Sequence, residues 1–96
     1  MDVSKLVKKN REKILEIATK NGAYNVRIFG SVARGDTNEK SDIDFLIDME
    51  PDRSLFDVGG LLMDLQDLLG CKVDIVTTKG LRPSIRDEVL QEAIPL

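Results

Sequence analysis

The chain has 96 residues, with 14 Lys and Arg against 17 Asp and Glu, one Cys and no His or Trp. That length makes one domain, residues 1–96, and the net charge of −3 argues against a module that lives on nucleic acid, where a basic excess is the rule. Without histidine there is no Ser-His or Cys-His nucleophile and no histidine-ligated metal, and the lone Cys71 can form neither an internal disulfide nor a zinc cluster, so any metal is held by oxygen.

In chain order, residues 3–20 place Val3, Leu6, Val7, Ile14, Ile17 and Ala18 at helical spacing, and Gly22 is a natural stop. Lys5, Lys8, Lys9, Arg11 and Lys13 read either as a basic patch or as a solvated face. Glu12 and Glu16 lie among them, and Glu16 with Lys20 makes a favourable i,i+4 pair, which favours the solvated face. Residues 24–29 alternate and are β-prone, predicting a strand. Gly30-Ser31 follows, then a short helix through Arg34 and a polar loop over 35–41. A second strand covers 43–49 and stops at Pro51. Residues 54–69 form a long helix with Leu55, Val58, Leu62, Leu65 and Leu69 on one stripe and Leu61 and Leu68 beside it. Gly59-Gly60 inside it cost about 1 kcal/mol each against alanine, which suggests close packing against the sheet. Gly70 ends the helix, residues 72–77 form a third strand, and Pro83 opens a last helix to about Glu92.

Strands alternating with helices predict an α/β fold, a two-layer sandwich around a small sheet. The β-α-β unit from 43 to 77 is long enough for a parallel crossover, although periodicity does not fix strand direction. No apolar run approaches the ~18–20 residues of a membrane span, and the N-terminus lacks the apolar segment of a signal peptide. The expectation is a soluble, cytoplasmic protein.

Asp42 and Asp44 are two apart, so on an extended chain both side chains leave one face, with Cα atoms about 6–7 Å apart. Asp74 interrupts the apolar run of the third strand. Each of these three also reads as a turn or strand-edge residue facing water. If the second and third strands are neighbours, three carboxylates converge, and such a cluster repels itself. A divalent cation relieves the repulsion. Mg2+ favours carboxylate oxygens together with substrate phosphates, and a pair of such ions about 3.5–4 Å apart clamps an in-line phosphoryl or nucleotidyl displacement. Asp48 keeps the same phase but reads as a surface residue. Gly30-Ser31 lies at a strand end, where unpaired backbone N–H groups can face an anion; glycine admits the phosphate and the hydroxyl adds a donor. Arg34 is either a triphosphate or acceptor contact or a solvated arginine, and Arg53 has the same two readings. Cys71 reads as a small, partly buried residue rather than a nucleophile.

Gly30-Ser31, ten residues, then Asp42-Ile43-Asp44, with Asp74 in a later apolar strand, resembles the GS-x10-DxD signature of the DNA polymerase beta-like nucleotidyltransferase superfamily. The flanking text, Phe29 to Asp36 and Ser41 to Asp48, is closer to its minimal nucleotidyltransferases, the MNT antitoxins encoded beside HEPN-domain ribonuclease toxins. The likeness spans essentially the whole chain. It implies the two-layer nucleotidyltransferase fold, a small mixed sheet of about three strands flanked by helices. It also implies that Gly30 and Ser31, with Arg34 as a further candidate, hold the triphosphate of ATP, and that Asp42, Asp44 and Asp74 are the catalytic ligands of two Mg2+ ions. The implied reaction is transfer of AMP from ATP to a tyrosine of a HEPN toxin in a hetero-oligomer, which silences the toxin.

Two other functions remain open: an antitoxin that silences its toxin by binding alone, and a small-molecule nucleotidyltransferase of the aminoglycoside-modifying kind. A DNA polymerase is disfavoured by the negative charge and the absence of a template-binding domain. Direct binding to nucleic acid or membrane is not expected. Ile85, Val89 and Leu90 of the last helix and the tail Ile94-Pro95-Leu96 are the expected docking surface for a partner.

Overall fold

A computed structural model describes residues 3–35 and 42–96. The element order is α1 (Val3–Lys9), α2 (Arg11–Lys20), β1 (Ala23–Phe29), α3 (Gly30–Arg34), β2 (Ile43–Met49), α4 (Leu55–Leu69), β3 (Val73–Thr77), a 3-10 turn (Thr78–Gly80), α5 (Pro83–Glu92) and β4 (Ile94–Pro95). The expected loop over 35–41 lies, beyond Gly35, outside the described residues.

The single helix expected over residues 3–20 is two. Asn10 separates them, its side-chain amide and its backbone N–H both donating to the Leu6 carbonyl, at 2.9 and 3.2 Å. The α4 helix starts as its sequence asks. The Ser54 hydroxyl accepts from the Phe56 N–H at 3.2 Å, and the Asp57 carboxylate accepts from the Ser54 N–H at 3.0 Å, a reciprocal cap. Its buried stripe is Leu61, Leu65 and Leu69, while Leu55 is exposed, so the helix is rotated from the stripe the sequence suggested. The glycine expectation is corrected as well. A Cβ on Gly59 would meet nothing within 4 Å, and one on Gly60 would meet the Asn21 side chain at 3.0 Å, so the close contact is with the end of α2 rather than the sheet.

The sheet has four strands in the order β3-β2-β1-β4. Strands β2 and β3 are parallel, as the crossover allows, while β1 runs antiparallel to both β2 and β4. The fourth strand is an addition to the expected three. The tail, expected as docking surface, is tied to the sheet: Ile94 and Pro95 pair with Ile28 and Arg27, and the Leu96 N–H donates to the Val26 carbonyl at 3.0 Å. A bulge in β1, with Asn25 at φ 51°, lets Ala23 and Val26 both face the core although they are three apart.

The principal core lies between one sheet face and α1, α2 and α4, where Ile43, Phe45 and Ile47 of β2 meet Val7, Ile14, Leu61 and Leu65. On the other face Leu46 packs against Leu81 and Val89, which seats α5. Val89 is therefore core and not docking surface; Ile85, Ile94 and Pro95 are the exposed members of that expected set. Among the described residues no helix is long and apolar enough to cross a membrane.

Candidate functional site

Strand alternation sends Asp44, Leu46 and Asp48 to the face opposite Ile43, Phe45 and Ile47. The parallel register sets Asp44 beside Asp74, and the antiparallel register sets Phe29 beside Asp44 on the other side. The chain turns into α3 immediately after Phe29. Gly30 adopts φ 72°, and a Cβ there would run into the Asp44 carboxylate. Glycine is required on both counts, for the left-handed backbone and for the close approach.

Asp44 feels this crowding. Burial first, then the charges of Asp74 and Asp42 and a hydrogen bond with Asp74, push its carboxyl above the usual aspartate value, and Arg34 opposes them. Asp44 and Asp74 are thus brought together as expected. Asp42, the residue before β2, stands at the edge of the group, and its carboxylate lies 3.7 Å from the Lys72 ammonium in a solvent-exposed pair. Among the described residues no three acidic or thiol side chains, as they are placed, converge closely enough to hold a cation. The donor set nevertheless suits a hard cation. It is all carboxylate oxygen, its half-buried member Asp44 carries a destabilised charge, and an exposed pair such as Asp42–Lys72 is weak enough to part.

Arg34, in the last turn of α3, ion-pairs with Glu92. The other Glu92 oxygen accepts from the Gly30 N–H at 3.2 Å. Sequence reasoning missed Glu92, because an acid in the last turn of an amphipathic helix carries no motif and its contacts lie 62 and 58 positions away.

The other candidates separate from the site. Arg53 pairs with Asp57 at 3.3 Å and Glu50 at 3.6 Å near the start of α4, at the far end of β2 from Asp44. Asp48, expected at the surface, is a structural partner. Its carboxylate accepts from Asn25 at 2.8 Å and lies 3.5 Å from Arg27. Burial pushes its carboxyl up, but hydrogen bonds from Asn25 and Thr78 and the charges of Arg27 and Lys79 hold it below the usual value. A cleft of 220 Å³ lined by Tyr24, Asp48, Arg53 and Lys79 opens at that end, away from the paired carboxylates. Cys71 is half-buried, and burial pushes its thiol up, against a nucleophilic role.

Residues 7–96 match the nucleotidyltransferase domain family. A relative in Methanocaldococcus jannaschii, named as a candidate protein adenylyltransferase, is 38% identical over 88% of this chain and 90% of its own length. The protein adenylyltransferase MntA of Thermococcus cleftensis is 37% identical over 82% and 80%. Among solved structures, one described as a candidate minimal nucleotidyltransferase superposes with a TM-score of 0.89 at 47% identity, covering 100% of this chain and 97% of that one. A toxin–antitoxin structure with AMP-PNP shares the fold, with a TM-score of 0.76 at 22% identity over 90% of this chain and 71% of that one.

Proposed function

The chain belongs to the nucleotidyltransferase domain family and is a nucleotidyltransferase; from that premise we propose that it transfers AMP from ATP to a tyrosine hydroxyl of a HEPN-family ribonuclease toxin and thereby silences it. The observation that carries this reading is the meeting of Asp44, Asp74 and Gly30 at one point, fixed by sheet register on both sides of β2. The adenylyltransferase names of the two relatives support AMP as the group transferred, and the toxin–antitoxin fold neighbour points to the kind of partner.

In this reading Gly30 and Ser31 receive the triphosphate, the glycine by leaving room and the serine through its hydroxyl, with Arg34 supplying positive charge at the same turn. Asp42, Asp44 and Asp74 would hold Mg2+, two ions in the full set, which neutralises charge developing on the phosphates when bound. Asp74, the exposed member of the pair, would stand next to the attacking hydroxyl and take its proton. The new bond joins that oxygen to the α-phosphorus, and the bond to pyrophosphate breaks. The acceptor comes on another macromolecule, docked across the open side of the site.

Intact-mass spectrometry of the co-expressed pair tests this reading. One added AMP per modified partner, mapped to a tyrosine and absent with Asp44→Asn, is the expected result. A silenced but unmodified partner would replace it with a binding-only antitoxin, and transfer to a free small molecule alone would replace it with the small-molecule enzyme.

A further inference from the structure

Glu92 is outside the Gly-Ser and carboxylate set, yet its side chain stands against it. As the last residue of α5, it accepts from the Gly30 N–H with Oε2 and from Arg34 Nη1 with Oε1, so one carboxylate engages two of the three groups assigned to the triphosphate. Its backbone is held from both directions. The Ala93 N–H donates to the Val89 carbonyl at 2.9 Å, closing the last turn of α5, and Ile94 then pairs with Ile28 in the sheet. Val89 is buried against Leu46 one turn earlier. The Glu92 side chain itself is only 23% exposed. An inhibitory anion that must swing aside for substrate would sit on a loose segment; this one sits between a packed helix and a strand.

We propose that Glu92 is a positioning residue for nucleotide transfer, fixing the Gly30-Ser31 turn and the Arg34 guanidinium in the arrangement that receives the triphosphate. The inference rests on the nucleotide-transfer reading above. Glycine has the least intrinsic preference for any backbone conformation, so a turn built on it is ordered only by what holds it. A carboxylate accepting from a backbone N–H and an arginine together makes two charge-assisted hydrogen bonds, the stronger kind. These contacts set the direction from which Ser31 and Arg34 meet a phosphate, while the chemistry at the carboxylates is left to Asp44 and Asp74.

The test uses the full chain with its partner. Rates of AMP transfer are measured against ATP concentration, together with the affinity for Mg-AMP-PNP, for wild type, Glu92→Ala and Glu92→Gln. The expected result for Glu92→Ala is a KM for ATP and a Kd for AMP-PNP raised about tenfold, with a smaller change in kcat, because the two bonds it loses order the binding turn without touching the substrate. Glu92→Gln keeps an acceptor for Gly30 and loses the charge for Arg34, so its KM falls between the two. An unchanged KM would make Glu92 a spectator, and a lowered KM would make it a blocking anion; either overturns the proposal. A wild-type protein that binds no AMP-PNP refutes the nucleotide reading separately. Amide hydrogen exchange at Gly30, faster by about tenfold in Glu92→Ala than in wild type, then decides the tether alone, and an unchanged rate refutes it. Should Glu92→Ala fail to fold, Glu92→Gln carries the same measurements after its melting temperature is matched to wild type.

Discussion

One methyl group separates the role of Gly30 in the fold from its role in the site. Gly30 and Gly70 both hold a positive φ, 72° and 66°. An L-residue in that region costs about 1–2 kcal/mol, so Gly30→Ala and Gly70→Ala should each lose roughly that much stability. For a domain of this size that is a fall in Tm of roughly 4–8 °C per kcal/mol. The surroundings of the two positions differ. A Cβ at Gly70 meets nothing within 4 Å, whereas one at Gly30 collides with the Asp44 carboxylate. Gly30→Ala therefore also pushes Asp44 out of its place beside Asp74. Loss of one preorganised charge-stabilising group costs about 10²–10³ in kcat, so Gly30→Ala should transfer AMP at least a hundredfold more slowly. The matched Gly70→Ala should keep the wild-type rate. Initial rates of transfer from α-labelled ATP to the partner, corrected for the folded fraction by circular dichroism, give the comparison. Equal rates for the two variants would show that the closeness of Gly30 to Asp44 has no catalytic meaning.

Asp44→Asn should abolish transfer yet make the metal-free protein more stable at neutral pH. The folded-state pKa of Asp44 is raised, so wild type loses stability as pH climbs from the unfolded aspartate value through the folded one, while the variant does not. The stability gap between them, followed by denaturant unfolding with chelator present, should be absent in acid and open as pH rises; a gap that shrinks with pH refutes the repulsion. Added Mg2+ and ATP should raise the melting temperature of wild type and not of this variant, and a matching shift in both would remove Asp44 from the ligand set. Ser31→Ala loses one phosphate donor and should keep measurable transfer, its loss staying within about 2.7–4 kcal/mol, so a complete loss would contradict a single-donor role. Ser54→Ala removes the α4 cap and should cost about 1 kcal/mol in unfolding experiments with the rate unchanged, because the cap lies at the far end of β2; a tenfold slower variant would tie α4 to catalysis.

The parts of the fold that the sequence displayed are those with local causes. The strand over 43–49 was visible because its own apolar and β-branched residues define it, and α5 because Pro83 presets its first turn. The parts that escaped depend on partners distant in sequence. Strand β4 is two residues long and exists because β1 offers an edge, and no periodicity can appear in Ile94-Pro95. The break falls at Asn10, a polar residue whose amide folds back on the Leu6 carbonyl, and apolar spacing does not encode it. In the site, Asp44 and Asp74 stood out because an acid inside an apolar strand is costly unless it is used. Glu92 did not stand out, because an acid on an amphipathic helix is ordinary until the fold brings it to Gly30.

Strand β2 explains how 96 residues can carry both a core and a charged site. Its odd positions, Ile43, Phe45 and Ile47, are almost wholly buried under α2 and α4, and this burial holds the strand while the even positions are left to chemistry. On the even face Leu46 separates Asp44 from Asp48, and it is the apolar foothold between two acids. Leu81 and Val89 cover Leu46, so the place where α5 can sit is fixed by that residue. Seating α5 there brings its last turn alongside α3, and the carboxylate of Glu92 reaches Gly30 and Arg34. The contacts of the Gly30-Ser31 turn thus depend on one leucine on the site face, and replacing Leu46 with alanine should disturb the Glu92 contacts as well as the smaller core.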